Sequence, residues 1–302
     1  MIVSDPSIIV TLFGKYCKNL RIFDIETFQT PAISKESTLL MLENCKKLEY
    51  LDISASSKIV SLLYKSKSLK SLYLSYPLNG KDLNQINEKM ENLKKLSLLK
   101  IEGGDGGKTN FLFLKNFPNL EYLSIGDFGE LDDEGFLNIS KCENIKELKL
   151  IRTPKISDKS LLMLGSMKSL IKFNIRDRLP KVTQQGWINL VKRPIDYPSW
   201  RVITIDDGRQ INPEFFKILD QNHKNLELLR IRGFSYDKLL KDDSFDNLKF
   251  KDSWFYYKNN SHTPIINWPI IYKKLVKVKK FPKKENYQDI YSEQDDAYEG
   301  VY

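Results

Sequence analysis

The chain has 302 residues, 41% of them hydrophobic, enough to bury a sizeable core as two ordinary domains or one solenoid. Its formal net charge of +9 is moderately basic and spread along the chain, which permits an anionic partner without naming one. Three cysteines, Cys17, Cys45 and Cys142, are odd in number and far apart; that pattern argues against a disulfide framework and for a reducing, cytoplasmic or nuclear compartment.

The opening stretch MIVSDPSIIVTLFGKYC has no basic leader, and its apolar run from Ile8 to Phe13 is broken by Thr11, so it does not read as a signal peptide. No apolar run approaches the ~20 residues that a membrane span needs. Without a secretory route, the sequons at Asn138 and Asn259 carry no meaning. The segment IIVTLFGKYC reads instead as the helix of an incomplete first unit, with a strand beginning near Leu20.

From there one pattern recurs. Its starts read CKNLRIFDI (17–25), CKKLEYLDI (45–53), SKSLKSLYL (66–74), LKKLSLLKI (93–101), FPNLEYLSI (117–125), CENIKELKL (142–150), MKSLIKFNI (167–175), YPSWRVITI (197–205) and HKNLELLRI (223–231). The intervals are 28, 21, 27, 24, 25, 25, 30 and 26 residues. A period of ~20–29 residues with one strand per unit is the signature of leucine-rich repeats. In CENIKELKL the apolar residues stand at offsets 3, 6 and 8, and the last two alternate with polar ones, as a strand with one buried face requires. A helix follows in most units. Ser34 before the 35–42 run, Ser157 and Asp158 before LLML, and Thr183 before QQGWINL are placed to cap those helices. Each helix should lie on the outer face, and stacked coils should share one core that no single unit could build.

The pattern C-x-x-L-x-x-L-x-L, then I-[ST]-D-x-x-L, carried by Cys142, Ile145, Leu148, Leu150, Ile156, Ser157, Asp158 and Leu161, resembles the cysteine-containing leucine-rich repeats. This subtype, similar also to ribonuclease-inhibitor-like repeats, is often found behind F-box domains. The resemblance covers roughly residues 8–240, although other units hold Ser66, Leu93, Phe117, Met167, Tyr197 and His223 at the cysteine position. It implies an α/β leucine-rich-repeat solenoid, with a parallel sheet on the concave face and helices on the convex face. It also implies a substrate receptor of an SCF-type ubiquitin ligase, joined to Skp1/cullin machinery. No F-box is visible before the first strand, so the chain is expected to be a fragment, a relative without that domain, or a relative in architecture alone.

The expected organisation is a solenoid of about nine units over 1–240, a cap over 241–284, and an acidic, disordered tail over 285–302. The cap region is rich in aromatics, with Trp254, Phe255, Tyr256, Ile265, Ile266, Trp268 and Ile270 available to cover the open end of the core. Lys273–Lys284 holds seven lysines in twelve residues. This run fits an import signal, a nucleic-acid contact, a membrane-surface patch, an amphipathic strand, or a partner for the acidic tail.

Candidate chemistry is sparse. The cysteines share one repeat position and read as buried turn residues bonded weakly to backbone. With no CxxC and only His223 and His262, a zinc site is not expected. EGGDGGKT (102–109) approximates a phosphate-binding loop, but Glu102 stands where that loop needs glycine, so a plain linker is expected. The pairs Asp132-Asp133, Asp206-Asp207 and Asp242-Asp243 fall at loop or helix-start positions, where carboxylates cap helices or face water. The chain is therefore read as having no catalytic residue, no metal and no cofactor.

The concave face is the strongest candidate site. Between the buried strand positions lie Ile22, Asp24 and Glu26, Tyr50, Asp52 and Ser54, Ser71, Tyr73 and Ser75, Leu98, Lys100 and Glu102, Tyr122 and Ser124, Glu147, Lys149 and Ile151, Lys172, Asn174 and Arg176, Val202, Thr204 and Asp206, and Leu228, Arg230 and Arg232. The series runs from acidic, through Tyr50, Tyr73 and Tyr122, to a basic end of Lys149, Lys172, Arg176, Arg230 and Arg232. Tyrosine and arginine are favoured in interface hot spots. The expected function is non-enzymatic recognition of a protein partner carrying an acidic patch. The alternative is a nuclear or nucleic-acid-associated scaffold that uses the basic concave end and the lysine run, and no membrane partner is expected.

Overall fold

The computed structural model describes residues 5–25, 33–53, 57–75, 83–84, 86, 89–99, 110–194, 196–233 and 254–256. The lysine run, the acidic stretch, the 102–109 loop and most of the expected cap lie outside the described residues.

The strands are β1 Ile22–Asp24, β2 Tyr50–Ile53, β3 Ser71–Leu74, β4 Lys95–Leu99, β5 Tyr122–Gly126, β6 Glu147–Ile151, β7 Lys172–Arg176, β8 Val202–Ile205, β9 Leu228–Ile231 and β10 Trp254–Tyr256. They form one sheet in sequence order, and each neighbouring pair is parallel. β10 extends the sheet one strand beyond the ninth unit, within the stretch expected to form a cap. The returning segments carry α1 Pro6–Tyr16, α2 Lys35–Asn44, α3 Ser57–Val60, α4 Asp133–Ser140, α5 Asp158–Ser166, α6 Gln184–Val191 and α7 Pro213–Asn222. Leu63–Lys65 is a 3-10 turn that follows α3 in the same coil, and Leu112–Asn116 is one between β4 and β5. Among the described residues, no helix is long and apolar enough to cross a membrane.

The register stacks equivalent positions of successive units. One buried row runs Phe23, Leu51, Leu72, Leu96, Leu123, Leu148, Phe173, Ile203 and Leu229, and a second runs Ile53, Leu74, Leu98, Ile125, Leu150, Ile175, Ile205 and Ile231. Helix residues such as Met41, Phe136, Leu161, Trp187 and Phe215 close over these rows in the same core. Each such side chain contributes ~1.5–3 kcal/mol by leaving water, a gain a coil obtains only beside a neighbour.

The fourth unit corrects the sequence reading. Its strand residues Leu96 and Leu98 are buried, so the frame is MENLKKLSL (90–98), three residues before the expected one. Leu98 faces the core rather than the concave side, while Lys100 and Glu102 lie outside the described residues. The structure shows why this frame wins. Asn92, Asn119 and Asn144 each donate from Nδ2 to a backbone carbonyl of the preceding coil, at Lys67, Glu91 and Pro118, over 2.8, 2.8 and 2.7 Å. Ser68 does the same to Leu48 over 2.7 Å. The residue before the first buried leucine therefore ties coil to coil, and only Asn92-Leu93 fits that role.

The caps are mostly those expected. The side chains of Ser34, Ser157 and Thr183 accept from Ser37, Lys159 and Gly186 amides, and Asp132 and Asn212 do likewise for α4 and α7. Asp158 is not a cap of its own helix. Its carboxylate accepts from the Thr183 amide and hydroxyl of the next coil, at 2.8 and 2.6 Å. Asp133 makes the same reach to Ser157 and to the Ser160 hydroxyl.

At the cysteine position, buried Cys45 points its thiol at the Cys17 and Phe13 carbonyls, 3.4 and 3.8 Å away, and burial pushes its pKa up. Cys142 directs its thiol to the Asn138 carbonyl, and burial pushes it to about 11. His223 fills the same place in the ninth unit. Its Nδ1 must accept from the Trp200 amide, so Nε2 carries the proton and donates to the Val191 carbonyl, each at 3.2 Å. Burial pushes this imidazole down to about 4.

Candidate functional site

The helices cover one face of the sheet, and strand alternation sends three rows of side chains to the other. The first row is Ile22, Tyr50, Ser71, Lys95, Tyr122, Glu147, Lys172, Val202 and Leu228. The second is Asp24, Asp52, Tyr73, Ser97, Ser124, Lys149, Asn174, Thr204 and Arg230. A third, at the strand ends, includes Leu99, Gly126, Ile151 and Arg176, with Asp206 and Arg232 continuing it after β8 and β9.

Tyr50 and Tyr73 come together, with ring centroids 5.1 Å apart and planes tilted by 33°. Tyr122 stands two strands further along and is not part of that pair. Asp24 and Asp52 lie beside the tyrosine pair on β1 and β2. Midway, the small residues Ser97, Ser124 and Gly126 are buried, and the Leu99 side chain lies over Gly126. The frame correction brings Lys95, Ser97 and Leu99 onto this surface, residues that the expected frame had left off it.

Lys149, Lys172, Arg176, Arg230 and Arg232 gather on β6 to β9. With neighbouring strands ~4.8 Å apart, they span about 14 Å. Among the described residues, the carboxylates of Glu147 and Asp206 stand with them. Glu147 lies 3.8 Å from the Lys172 ammonium, and Asp206 lies 3.4 Å from the Arg232 guanidinium. Partly exposed pairs of this kind are worth ~0–1 kcal/mol, so a partner can displace them. Asn174 Oδ1, Asp206 Oδ1 and Arg232 Nε are buried, yet hydrogen-bond to nothing among the described residues. An orphan of this sort costs ~1–3 kcal/mol, which an incoming polar group can recover.

The border of the face is set by further charges. At the far ends of β7 and β8, burial pushes the Asp177 carboxyl up. For Asp207, burial also acts to raise the pKa, but the Arg209 fork at 2.6 and 2.7 Å and the Leu179 amide outweigh it and hold the carboxyl below its usual range. At the near ends, Arg21–Glu49–Lys70, Lys94–Glu121–Lys146 and Arg201–Glu227 pair across coils. These ladders are locally satisfied and border the three rows between them.

Arg193 was not anticipated from sequence. It is 5% exposed and donates to the Met167, Lys168, Leu170 and Pro198 carbonyls, with Trp200 4.1 Å beneath its guanidinium. Burial lowers its pKa to about 10. It fastens the start of the longest unit, at Met167, Lys168 and Leu170, to the start of the next, at Pro198, and lies in the core. Among the described residues, no three His, Cys, Asp or Glu side chains converge to hold a metal ion.

No protein-family model matches the chain. The solved structures it resembles include a chain of the yeast Rad7 and Elc1 complex, at a TM-score of 0.52 and 18% identity, over 76% of this chain and 67% of that one. An internalin, InlF, of Listeria monocytogenes aligns over 82% of this chain and 83% of its own, at a TM-score of 0.39 and 15% identity, too loose to carry argument. The fold is a leucine-rich-repeat solenoid. The repeat period, the single parallel sheet and the stacked coils establish this directly, and the likeness to the yeast chain agrees.

Proposed function

We propose that the chain is a non-enzymatic protein-recognition module whose helix-free face takes an acidic polypeptide segment at the β6–β9 end. The observation that carries this reading is the gathering of Lys149, Lys172, Arg176, Arg230 and Arg232, from four separate units, on one face of adjacent strands. Glu147 and Asp206 among them favour a polypeptide over a nucleic acid. A phosphate backbone presents one sign of charge throughout and would be repelled by both carboxylates, while a polypeptide can answer both signs. Tyr50 and Tyr73, with Asp52, offer the same partner an aromatic and acidic contact at the other end. Affinity capture with wild-type chain and with Arg176→Glu, Arg230→Glu and Arg232→Glu combined tests this. The variant should lose the partner at least tenfold, and unchanged capture removes the surface from consideration.

A finer proposal is that the module presents its partner to a ubiquitin ligase. The cysteine-containing repeat pattern supports it, as does the likeness of this fold to a chain from a two-protein assembly of Rad7 with Elc1. Recovery of Skp1/cullin components in the same capture supports this role. Recovery of ribonucleoproteins in their place supports a nuclear scaffold.

A further inference from the structure

We propose that the first coil is an interface between two copies of this chain, in which the outer faces of two α1 helices pair antiparallel about a two-fold axis. This surface is separate from the helix-free face, and the inference does not rest on the recognition reading. Three observations meet here. The first is direction. Pro6, Val10 and Gly14 are the buried residues of α1, and α1 packs beside α2. At Gly14 the approach is so close that an added Cβ would stand 2.9 Å from the Met41 amide nitrogen. The Thr11 and Ser7 hydroxyls bond to the Ser37 hydroxyl and the Ser34 amide, and Phe13 meets Phe23 of β1 edge-on, with ring centroids 5.7 Å apart. Ile8, Leu12 and Tyr16 each stand two places after a buried residue, which at ~100° per residue is about 200° round the helix. They therefore face away from α2, and they are 56%, 51% and 76% exposed. β1 is the outermost strand at this end of the described sheet, so the stripe looks out of the end of the solenoid. A closed solenoid end carries a polar outer face, and this one is apolar.

The second is charge. Asp5 caps the start of α1, while Lys15 lies in its last turn and Lys18 just beyond it, and all three are exposed. A parallel pairing would set Asp5 against Asp5 and Lys18 against Lys18. An antiparallel pairing about Leu12 sets Leu12 against Leu12, Ile8 against Tyr16 of the second copy, and Asp5 against its Lys18. Opposed helix dipoles favour the same arrangement. The stripe is thus complementary to itself, in its apolar row and in the sign of its two ends, as an isologous two-fold contact requires.

The third is area. Ile8, Leu12 and Tyr16 leave roughly 400 Å² of apolar surface open, a patch of the size that marks an interaction site on a monomer. Covered on both copies, that is about 800 Å² of apolar area. At the ~57% apolar share usual in such contacts, the whole interface comes to about 1,400 Å². A stable, specific interface buries ~1,200–2,000 Å², so the stripe with its polar margin is sufficient for a dimer.

Sedimentation velocity of the full chain across ~1–100 µM tests the proposal, since contacts of this size reach micromolar affinity or better. The wild type should approach twice the chain mass as concentration rises. Leu12→Glu sets two carboxylates together on the axis and should raise the dissociation constant at least ~100-fold. Asp5→Asn, which keeps the helix cap, and Lys18→Gln should each raise it about threefold to tenfold. The two combined should weaken the dimer no further than the worse one alone, because both remove the same pair. Cross-linking reads the direction of the helices. Under mild oxidation Leu12→Cys should form a disulfide-linked dimer that the wild type does not, while Ile8→Cys and Tyr16→Cys should link when mixed and not singly. A wild type that stays monomeric throughout, or a dimer that Leu12→Glu leaves intact, overturns the proposal. Ile8→Cys linking to itself would set the helices parallel and overturn it as well.

Discussion

His223 gives the fold a pH dependence that can be worked from its bonds. The ring is held neutral between the Trp200 amide, which it accepts from, and the Val191 carbonyl, which it donates to. Burial, with Arg193 nearby adding to it, is why the pKa falls from 6.5 to about 4, and protonation would also put a second proton where Nδ1 must accept. A folded-state pKa below the unfolded one means that stability is complete above ~6.5 and is lost as pH falls toward 4. At ~1.36 kcal/mol per unit, the loss is about 2 kcal/mol from pH 7 to pH 5 and about 3 kcal/mol by pH 4. Replacement by the residue this position holds in other units, His223→Cys, removes the titrating group. Urea unfolding of both proteins at pH 7 and pH 5 isolates the effect as a difference of differences, so the carboxylates common to both cancel. The wild type should lose about 2 kcal/mol more than the variant over that interval. An equal loss in both would mean that the ring is not held neutral by these two bonds, and would refute the assignment of its tautomer.

Two further outcomes concern the ties between coils. Arg193→Met keeps an apolar stem over Trp200 but removes the guanidinium donor from four carbonyls, of which Met167's still accepts from the Leu170 amide; urea unfolding should show a loss of about 3 kcal/mol, since part of that desolvation cost is recovered by water. Asp133→Ala removes the acceptor shared by the Ser157 amide and the Ser157 and Ser160 hydroxyls. It should cost about 2 kcal/mol at pH 7. Burial acts to raise the Asp133 pKa, but those bonds outweigh it and hold the carboxyl below its usual value. The stability it confers is therefore present above the ordinary carboxylate range and lost below it, so wild type and Asp133→Ala should converge as pH falls through the acid range.

The solenoid was legible because a coil's identity repeats. Offsets 3, 6 and 8 were enough to place eight strands in register, since a one-residue slip would expose a whole buried row. The fourth unit misled because Leu93, Leu96, Leu98, Leu99 and Ile101 satisfy two frames at once. Apolar residues alone cannot choose between them, and the asparagine that bonds across coils can. The helix-free face was legible in its charges but not in their pairing. Glu147 and Lys172 share one offset in consecutive units, as do Asp206 and Arg232, so their proximity follows from register once the units are aligned. Arg193 left no such trace. Its partners are backbone carbonyls, which every residue has, and nothing in its neighbours' identities marks the pocket it fills.

The pairing changes what the face can discriminate. Five unscreened cations would hold any polyanion, by long-range attraction and with little regard to shape. Glu147 and Asp206 remove that indifference. On the proposed reading, a partner brings its carboxylates to the cationic end while avoiding the two acids Glu147 and Asp206, so a mismatch in spacing is penalised as well as unrewarded. With strands ~4.8 Å apart and an extended chain rising ~3.3 Å per residue, four strands are crossed by about five residues. On the proposed reading, the recognition element is short, and its specificity lies in the interval between its acidic residues rather than in their number. A polyglutamate of the same length supplies charge without interval. It should bind more weakly than a segment whose acids recur every third or fourth residue, and its binding should fall more steeply as salt is added.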